Sequence, residues 1–320
     1  MAIKALTVIK DRSPGKQRNA ERLVQAFLEG RTGTTTEAYT RDLTEFRDFL
    51  GLATLEQASA FLCSQSLGDA NSIALEYRAS LKERGYQSNT INRRLASLRS
   101  LVKFARTLGL ISWSLEVKNE KAQAYRDTSG ITPEVFQVLL NKSAKQSSKG
   151  KSARDTSILR LMYDLGLRRA EVLGLDIEDI DFKNHTILIL GKGRTQKEKM
   201  TLSPQSEQAL LSWVQIRGNQ AGAIFTDFDR AKKNPGRLSA TGLTLLIRAL
   251  GKRIGIKLSP HKLRHSAITQ ACKLAQANNI DLEEVLDFSR HKNVQTLMIY
   301  RDRERNVQGT LAALVGSTAT

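Results

Sequence analysis

Apolar positions along this chain fall first at helical spacing, then briefly at strand spacing, and then at helical spacing again. Tyr39, Leu43, Phe46 and Leu50 stand at i, i+4, i+7 and i+11. This predicts an amphipathic helix introduced by Thr34-Thr35-Thr36, with Glu37 in its first turn, and closed by Gly51. A second stripe runs through Ile73, Leu75, Tyr77 and Leu81 and stops at Gly85. A third starts at Ser88-Asn89-Thr90, residues that predict a cap, and carries Ile91, Leu95, Leu98, Val102 and Ala105 on one face. Together these segments predict a small, all-helical first domain.

The texture changes between Lys118 and Gly130, which is polar, charged and weakly periodic, and reads as a linker. Thr132-Pro133-Glu134 then predicts an N-cap, an N1 proline and a first-turn acid. Ile158, Leu161, Met162 and Leu165 predict a buried helix ending at Gly166, followed by Leu167-Arg168-Arg169-Ala170-Glu171 and a short helix from Val172 to Leu175. The one strand signal is Thr186-Ile187-Leu188-Ile189-Leu190, a Gly191-Lys192-Gly193 turn and a return through Met200-Thr201-Leu202, which predicts a hairpin. From Gly242 onward the period is helical again. The expected fold is mainly α with a small antiparallel β-sheet in the C-terminal domain. Its expected division is a flexible basic arm at 1–17, broken by Ser13-Pro14-Gly15, a helical domain at 18–117, the linker at 118–130, and a second domain with a C-terminal tail at 131–320.

A chain of 320 residues, 40% of them hydrophobic, suffices for two cores of ordinary size. Lysine and arginine number 50 against 32 acids, a net charge of +18. Of these, 20 bases and 14 acids precede position 128, and 30 and 18 follow it, so both halves are basic. A charge shared by two folded halves fits a protein that grips a duplex from two sides better than a basic tail on a neutral enzyme. In the third helix Arg93, Arg94, Arg99, Lys103 and Arg106 occupy or border the polar face, with no acid between Thr90 and Thr107. A solvated surface explains such a face; a helix laid against DNA explains it better. Cys63 and Cys272 have no zinc or redox spacing, which predicts reduced thiols and a cytoplasmic protein. No segment has the apolar length for a bilayer, and the apolar run at the N-terminus is too short for a signal peptide, so no membrane partner is expected.

Three of the four histidines crowd the last sixty residues, in Pro260-His261-Lys262-Leu263-Arg264-His265 and Arg290-His291, with Tyr300 nine positions further on. Each alone is a weak signal. On a helix, however, His261 and Arg264 share a face, and the group suits a phosphodiester. Charge developing on a transferring phosphoryl group needs fixed cationic donors, and the arginine fork supplies two bonds while staying charged. Arg264 is one candidate fork. Arg168 is the other, with Glu171 able to orient it. Tyr300 is the candidate nucleophile, its alternative being core packing with Leu297 and Ile299. A phenol needs a nearby base or strong positive potential to attack at neutral pH. Lys192, between two glycines, is the best-placed donor to a leaving 5′ oxygen, with Lys197 and Lys199 in reserve. No paired carboxylates, Cys/His metal spacing or P-loop occurs, so neither metal nor cofactor is expected.

Gly166-Leu167-Arg168-Arg169-Ala170-Glu171, Gly191-Lys192-Gly193, His261-Lys262-Leu263-Arg264-His265 and His291 to Tyr300, in that order, resemble the tyrosine recombinases, or phage-integrase family. The resemblance runs from about residue 20 to the end. It implies a two-domain, C-shaped clamp around double-stranded DNA, made of an all-α core-binding domain and an α+β catalytic domain. By motif, Arg168 and Arg264 would hold the scissile phosphate, and Lys192 would be the general acid. His261 would assist as base, His291 would bond the phosphate, and Tyr300 would form a 3′-phosphotyrosine. Strands would be rejoined in a new partner without ATP, by a homo- or hetero-tetramer on two DNA sites, for integration, excision or dimer resolution. The rivals are a type IB topoisomerase and a non-cleaving DNA-binding protein on the same fold. The short arm favours an Xer-like arrangement. Two departures stand out: Arg290 precedes the second histidine where the family commonly has glycine, and Arg194-Thr195-Gln196 extends the basic hairpin. In the tail, Val307, Leu311 and Leu314 keep helical spacing, for packing on their own domain or on a neighbouring protomer.

Overall fold

Residues 22–31, 33–121, 130–191, 193–228, 236–291, 294, 297 and 307–318 are described by the structure, a computed structural model. They fall into two units, Met1–Tyr125 and Arg126–Thr320. The first contains α1 (Leu23–Glu29), α2 (Gly33–Leu50), α3 (Leu55–Ser64), α4 (Leu67–Glu83) and α5 (Ser88–Thr107). Thr54 and Gln57 form a capping box at α3, and Ser66 accepts the Asp69 N–H at α4, so polar side chains satisfy amide groups that a helix start leaves open. Two starts differ from the sequence reading. Helix α2 begins at Gly33, with the threonine run inside its first turn. Helix α5 is preceded by Gln87, which makes no side-chain cap, so Ser88-Asn89-Thr90 lie within it.

Phe27, Phe46 and Tyr77 fill the centre of this unit, Phe27 edge-on to Tyr39 and Phe46 edge-on to Tyr77 at 5.1 Å each. Burying each such side chain contributes about 1.5–3 kcal/mol. The buried stripe of α4 is Ala70, Ala74, Tyr77 and Leu81. Leu75 leaves it and is 43% exposed, because two residues before Tyr77 is about 200° around the helix. Buried Asp42 accepts from Arg93 Nη1 at 2.5 Å and Ser97 Oγ at 2.7 Å, fastening α2 to α5.

The second unit opens with α6 (Pro133–Ala144), capped by Thr132 and started by Pro133 as the sequence predicts. Then follow α7 (Lys149–Asp164), α8 (Arg169–Leu173), β1 (Ile180–Asp181), β2 (Thr186–Leu190), β3 (Lys197–Thr201), α9 (Pro204–Arg217), α10 (Ala240–Lys252), α11 (Pro260–Ala277), α12 (Leu282–Ser289) and α13 (Val307–Ser317). The hairpin forms with Ile187 opposite Met200 and Leu190 opposite Lys197, and β1 extends it to a three-stranded antiparallel sheet in the order β1-β2-β3. The return strand is Lys197–Thr201, centred earlier than the predicted Met200 to Leu202, and the short helix runs Arg169–Leu173 rather than to Leu175.

Helix α7 is the axis of this unit. Its Ile158, Leu159, Leu161 and Met162 are fully buried, and it packs against α6, α9 and α11. It stops at Gly166, whose φ of +56° is open to glycine at little cost. In α13, Leu314 and Val315 are 58% and 68% exposed. Cys63 lies buried in α3 and Cys272 in α11, one thiol in the core of each unit. No helix among the described residues is long and apolar enough to cross a membrane.

Candidate active site

Four local structures deliver the candidate residues. Arg168 is the residue before α8, and His261 and Arg264 lie in the first turns of α11, a helix started by Ser259 and Pro260. His291 follows the left-handed residue that ends α12. All these belong to the second unit.

Arg168 is fixed from both ends. Its backbone N–H donates to Glu171 Oε2 and its Nη1 to Oε1, each at 2.7 Å, while Nη2 donates to the carbonyl of Arg290 at 3.0 Å. With 28% of its side chain exposed, the fork keeps an accessible edge. Arg264 is buried, 4% exposed, and donates Nη1 to the carbonyl of Gly166 and Nη2 to that of Ser289. One turn, Ser289-Arg290, therefore supplies carbonyls to both guanidiniums. His261 is exposed at the start of α11, its ring edge-on to buried His265 at 4.0 Å.

His291 is pushed down to about 4, first by burial and then by Arg264, Arg168, Arg290 and His261, so its imidazole is neutral near pH 7. Burial alone would raise Glu171; Arg290, then the backbone and side chain of Arg168, more than offset this and hold the carboxyl below its ordinary range. Arg168, Arg290 and His291 face a cavity of about 530 Å³ that Gly191, Arg194 and Lys199 also line. Glu198 and Asp287 line it too, but Arg168, Arg194 and Lys199 outnumber them, and with the neutral imidazole they can bind a phosphate and donate hydrogen bonds to its oxygens. Among the described residues no cluster of His, Cys, Asp or Glu could hold a metal.

Lys192 and Tyr300 lie outside the described residues. Of the reserve lysines, Lys197 is paired with Asp179 and Lys199 lines the cavity. In the sequence Arg290 stands out only as a departure from the motif; in the fold its side chain, 9% exposed, reaches Glu171 Oε2 at 3.0 Å. An arginine beside a histidine at a helix end was the only available sign.

On α5 the five bases separate. Lys103 and Arg106 are exposed. Arg93 pairs with Asp42, and Arg99 donates to the Val117 carbonyl and Asn119 Oδ1, both at 2.7 Å. Arg94 corrects the sequence reading: only 7% of its side chain is exposed, paired with Glu45 at 3.0 Å and stacked 4.0 Å over Tyr86. It serves the interior of the first unit because its helix position faces α2, not the polar side.

The sequence pattern of the Phage integrase family matches residues 130–306, and that of the phage integrase N-terminal SAM-like domain matches residues 25–109. A tyrosine recombinase of Synechococcus elongatus is 37% identical over 323 residues, covering 98% of this chain and 99% of the relative. One of Synechocystis sp. is 36% identical over 305 residues, covering 93% and 95%. Among solved structures, that of XerH site-specific recombinase bound to palindromic difH substrate in a post-cleavage complex shares the fold. Its TM-score is 0.66 and its identity 18%, over 92% of this chain and 94% of that one. With one family pattern covering more than half its length and a relative aligned almost end to end, the chain belongs to the phage integrase family and is a tyrosine recombinase.

Proposed function

We propose that this recombinase cleaves and rejoins double-stranded DNA at specific sites through Tyr300. The observation that carries the reading is the Ser289-Arg290 turn, which holds the forks of Arg168 and Arg264 beside His291. In the proposed step Tyr300 Oη attacks the scissile phosphorus while the bond from phosphorus to O5′ breaks. The phenol proton passes to His261, Lys192 protonates the leaving O5′, and the strand end stays on the protein as a 3′-phosphotyrosine. Arg168, Arg264 and neutral His291 donate to the non-bridging oxygens, where each fixed donor is worth roughly 10²–10³ in rate. Attack by a new 5′-hydroxyl reverses the step, so the phosphoester bond is carried across without a nucleotide. The first unit contributes duplex contacts through Lys103 and Arg106, with Arg93 and Arg99 at their edge. Four protomers on two DNA sites would complete the exchange.

The test uses a duplex selected from a randomised pool by binding to the protein and then nicked beside the cleaved position, so that cleavage traps a covalent adduct. Wild type is expected to form the adduct and Tyr300→Phe to form none. Absence from wild type, or persistence in Tyr300→Phe, defeats the proposal. Relaxation of supercoils without exchange between two sites would instead identify a topoisomerase activity.

A further inference from the structure

Arg290 ends α12 in the left-handed conformation, with φ +53° and ψ +36°, a backbone that favours glycine. A side chain is disfavoured there, so the fold must offset its presence. The side chain turns inward. Its Nη2 donates to Glu171 Oε2 and to the Gly166 carbonyl, both at 3.0 Å. Its Nη1 lies 3.2 Å from the Phe288 carbonyl and 3.3 Å from that of Leu165. Three carbonyls and a carboxylate thus receive one guanidinium, and they come from the α7–α8 corner and the end of α12. The same corner and helix end hold the two phosphate forks, because Gly166 and Ser289 accept from Arg264 and the Arg290 carbonyl accepts from Arg168.

The charge count matters as much as the geometry. Glu171 is 2% exposed and bonded twice to Arg168. Alone, that pair would be neutral, and a buried carboxylate would cancel much of the attraction Arg168 has for a phosphate. With Arg290 on the same carboxylate, two guanidiniums share one negative charge and the trio stays net positive. We infer that Arg290 is a positioning residue of this active site, which draws the charge of Glu171 away from Arg168 and pins the Ser289-Arg290 turn that spaces both forks. Arg290 acts through its neighbours, since its own guanidinium is 9% exposed and engaged by protein acceptors. The inference rests on the proposed roles of Arg168, Arg264 and Tyr300.

The adduct assay separates the two levels. Arg290→Met removes the charge, Arg290→Gly also relieves the left-handed backbone, and Arg290→Lys restores a cation with three donors. At matched DNA occupancy, Met and Gly variants are expected to form the adduct about 10–100-fold more slowly, less than or comparable to removing a direct donor, with Lys recovering most of the rate. DNA binding in the absence of cleavage is expected to change less than twofold. Adding Glu171→Gln to Arg290→Met should accelerate it, because Arg168 is then no longer neutralised by a buried carboxylate. Wild-type rates in Arg290→Met or Arg290→Gly would overturn the inference, as would a double variant no faster than Arg290→Met. If Arg290→Met fails to bind DNA through misfolding, Arg290→Gly carries the test, since glycine takes this conformation without strain. Failure of wild type itself to form the Tyr300 adduct would strike the functional reading instead.

Discussion

Removing the Glu171 carboxylate should unfold the second unit more readily as well as slow the reaction. Its side chain is 1% exposed, and it accepts the Arg168 N–H, Arg168 Nη1 and Arg290 Nη2. Glu171→Ala leaves the buried Arg290 guanidinium without its anion and two like charges facing a void. Breaking a buried pair from one side costs about 3–5 kcal/mol. Arg168 retains 28% side-chain exposure and regains some hydration, which favours the lower end. For a unit of this size that lowers Tm by roughly 6–20 °C. Glu171→Gln keeps the shape and one acceptor and should cost less, about 1–3 kcal/mol. The pH dependence has a fixed sign. The folded carboxyl lies below its unfolded value near 4.3. The stability it confers is therefore complete above that value and lost as pH falls through the folded one. Wild type and Glu171→Gln should converge in acid and diverge toward neutrality. Urea unfolding followed by fluorescence of Trp213, buried in α9, reads this unit alone in a Trp113→Phe background. A Glu171→Ala protein within about 1 kcal/mol of wild type at pH 7 would refute a carboxylate bridging two arginines.

Other expectations follow from the same geometry. Arg168→Ala should abolish or slow adduct formation by about 10²–10³ with little change in melting, whereas Arg264→Ala should also lower Tm, since the Ser289 carbonyl loses its donor and the Gly166 carbonyl keeps only Arg290; equal melting would contradict its anchoring. His291, neutral down to about pH 4, should add no acid limb to the rate profile above about pH 5. Its depressed value makes stability fall as pH drops from about 6.5 toward 4, and a His291→Asn protein should lose that part of the pH dependence. Lys103→Ala and Arg106→Ala should weaken DNA binding and each reduce the salt slope by roughly 0.9 without altering melting. Arg94→Ala should lower the melting of the first unit; an unchanged melt would return Arg94 to the DNA-facing set.

Much of the second unit was legible because its signals are local. Thr132-Pro133 starts a helix, Gly166 stops one, and the strand at Thr186–Leu190 alternates as a hairpin should. The order of the four motifs brought Arg168, Arg264 and His291 into one reading, and the fold joins them at a shared turn. What escaped depends on contacts far apart in sequence. Helix α3 buries Ala58, Ser59 and Cys63 beside Leu62, small residues that leave a faint stripe. Helix α9 hides Ser206, bonded to Asp164 on α7, at a position that reads as polar surface. Arg94 reads as a surface base until Glu45, forty-nine residues earlier, is seen beside it. The role of Arg290 required the three-dimensional proximity of Glu171, 119 residues upstream.

The two cysteines have a practical consequence. Each is 7% exposed, Cys63 among the packed helices of the first unit and Cys272 against Ile268 and Val285 in the second. A thiol reagent reaches either sulfur only when that core opens, so labelling followed by mass mapping times the opening of each half independently in one sample. Nature has thereby equipped the chain with two internal stopwatches. Adding DNA should slow the one whose unit it holds closed.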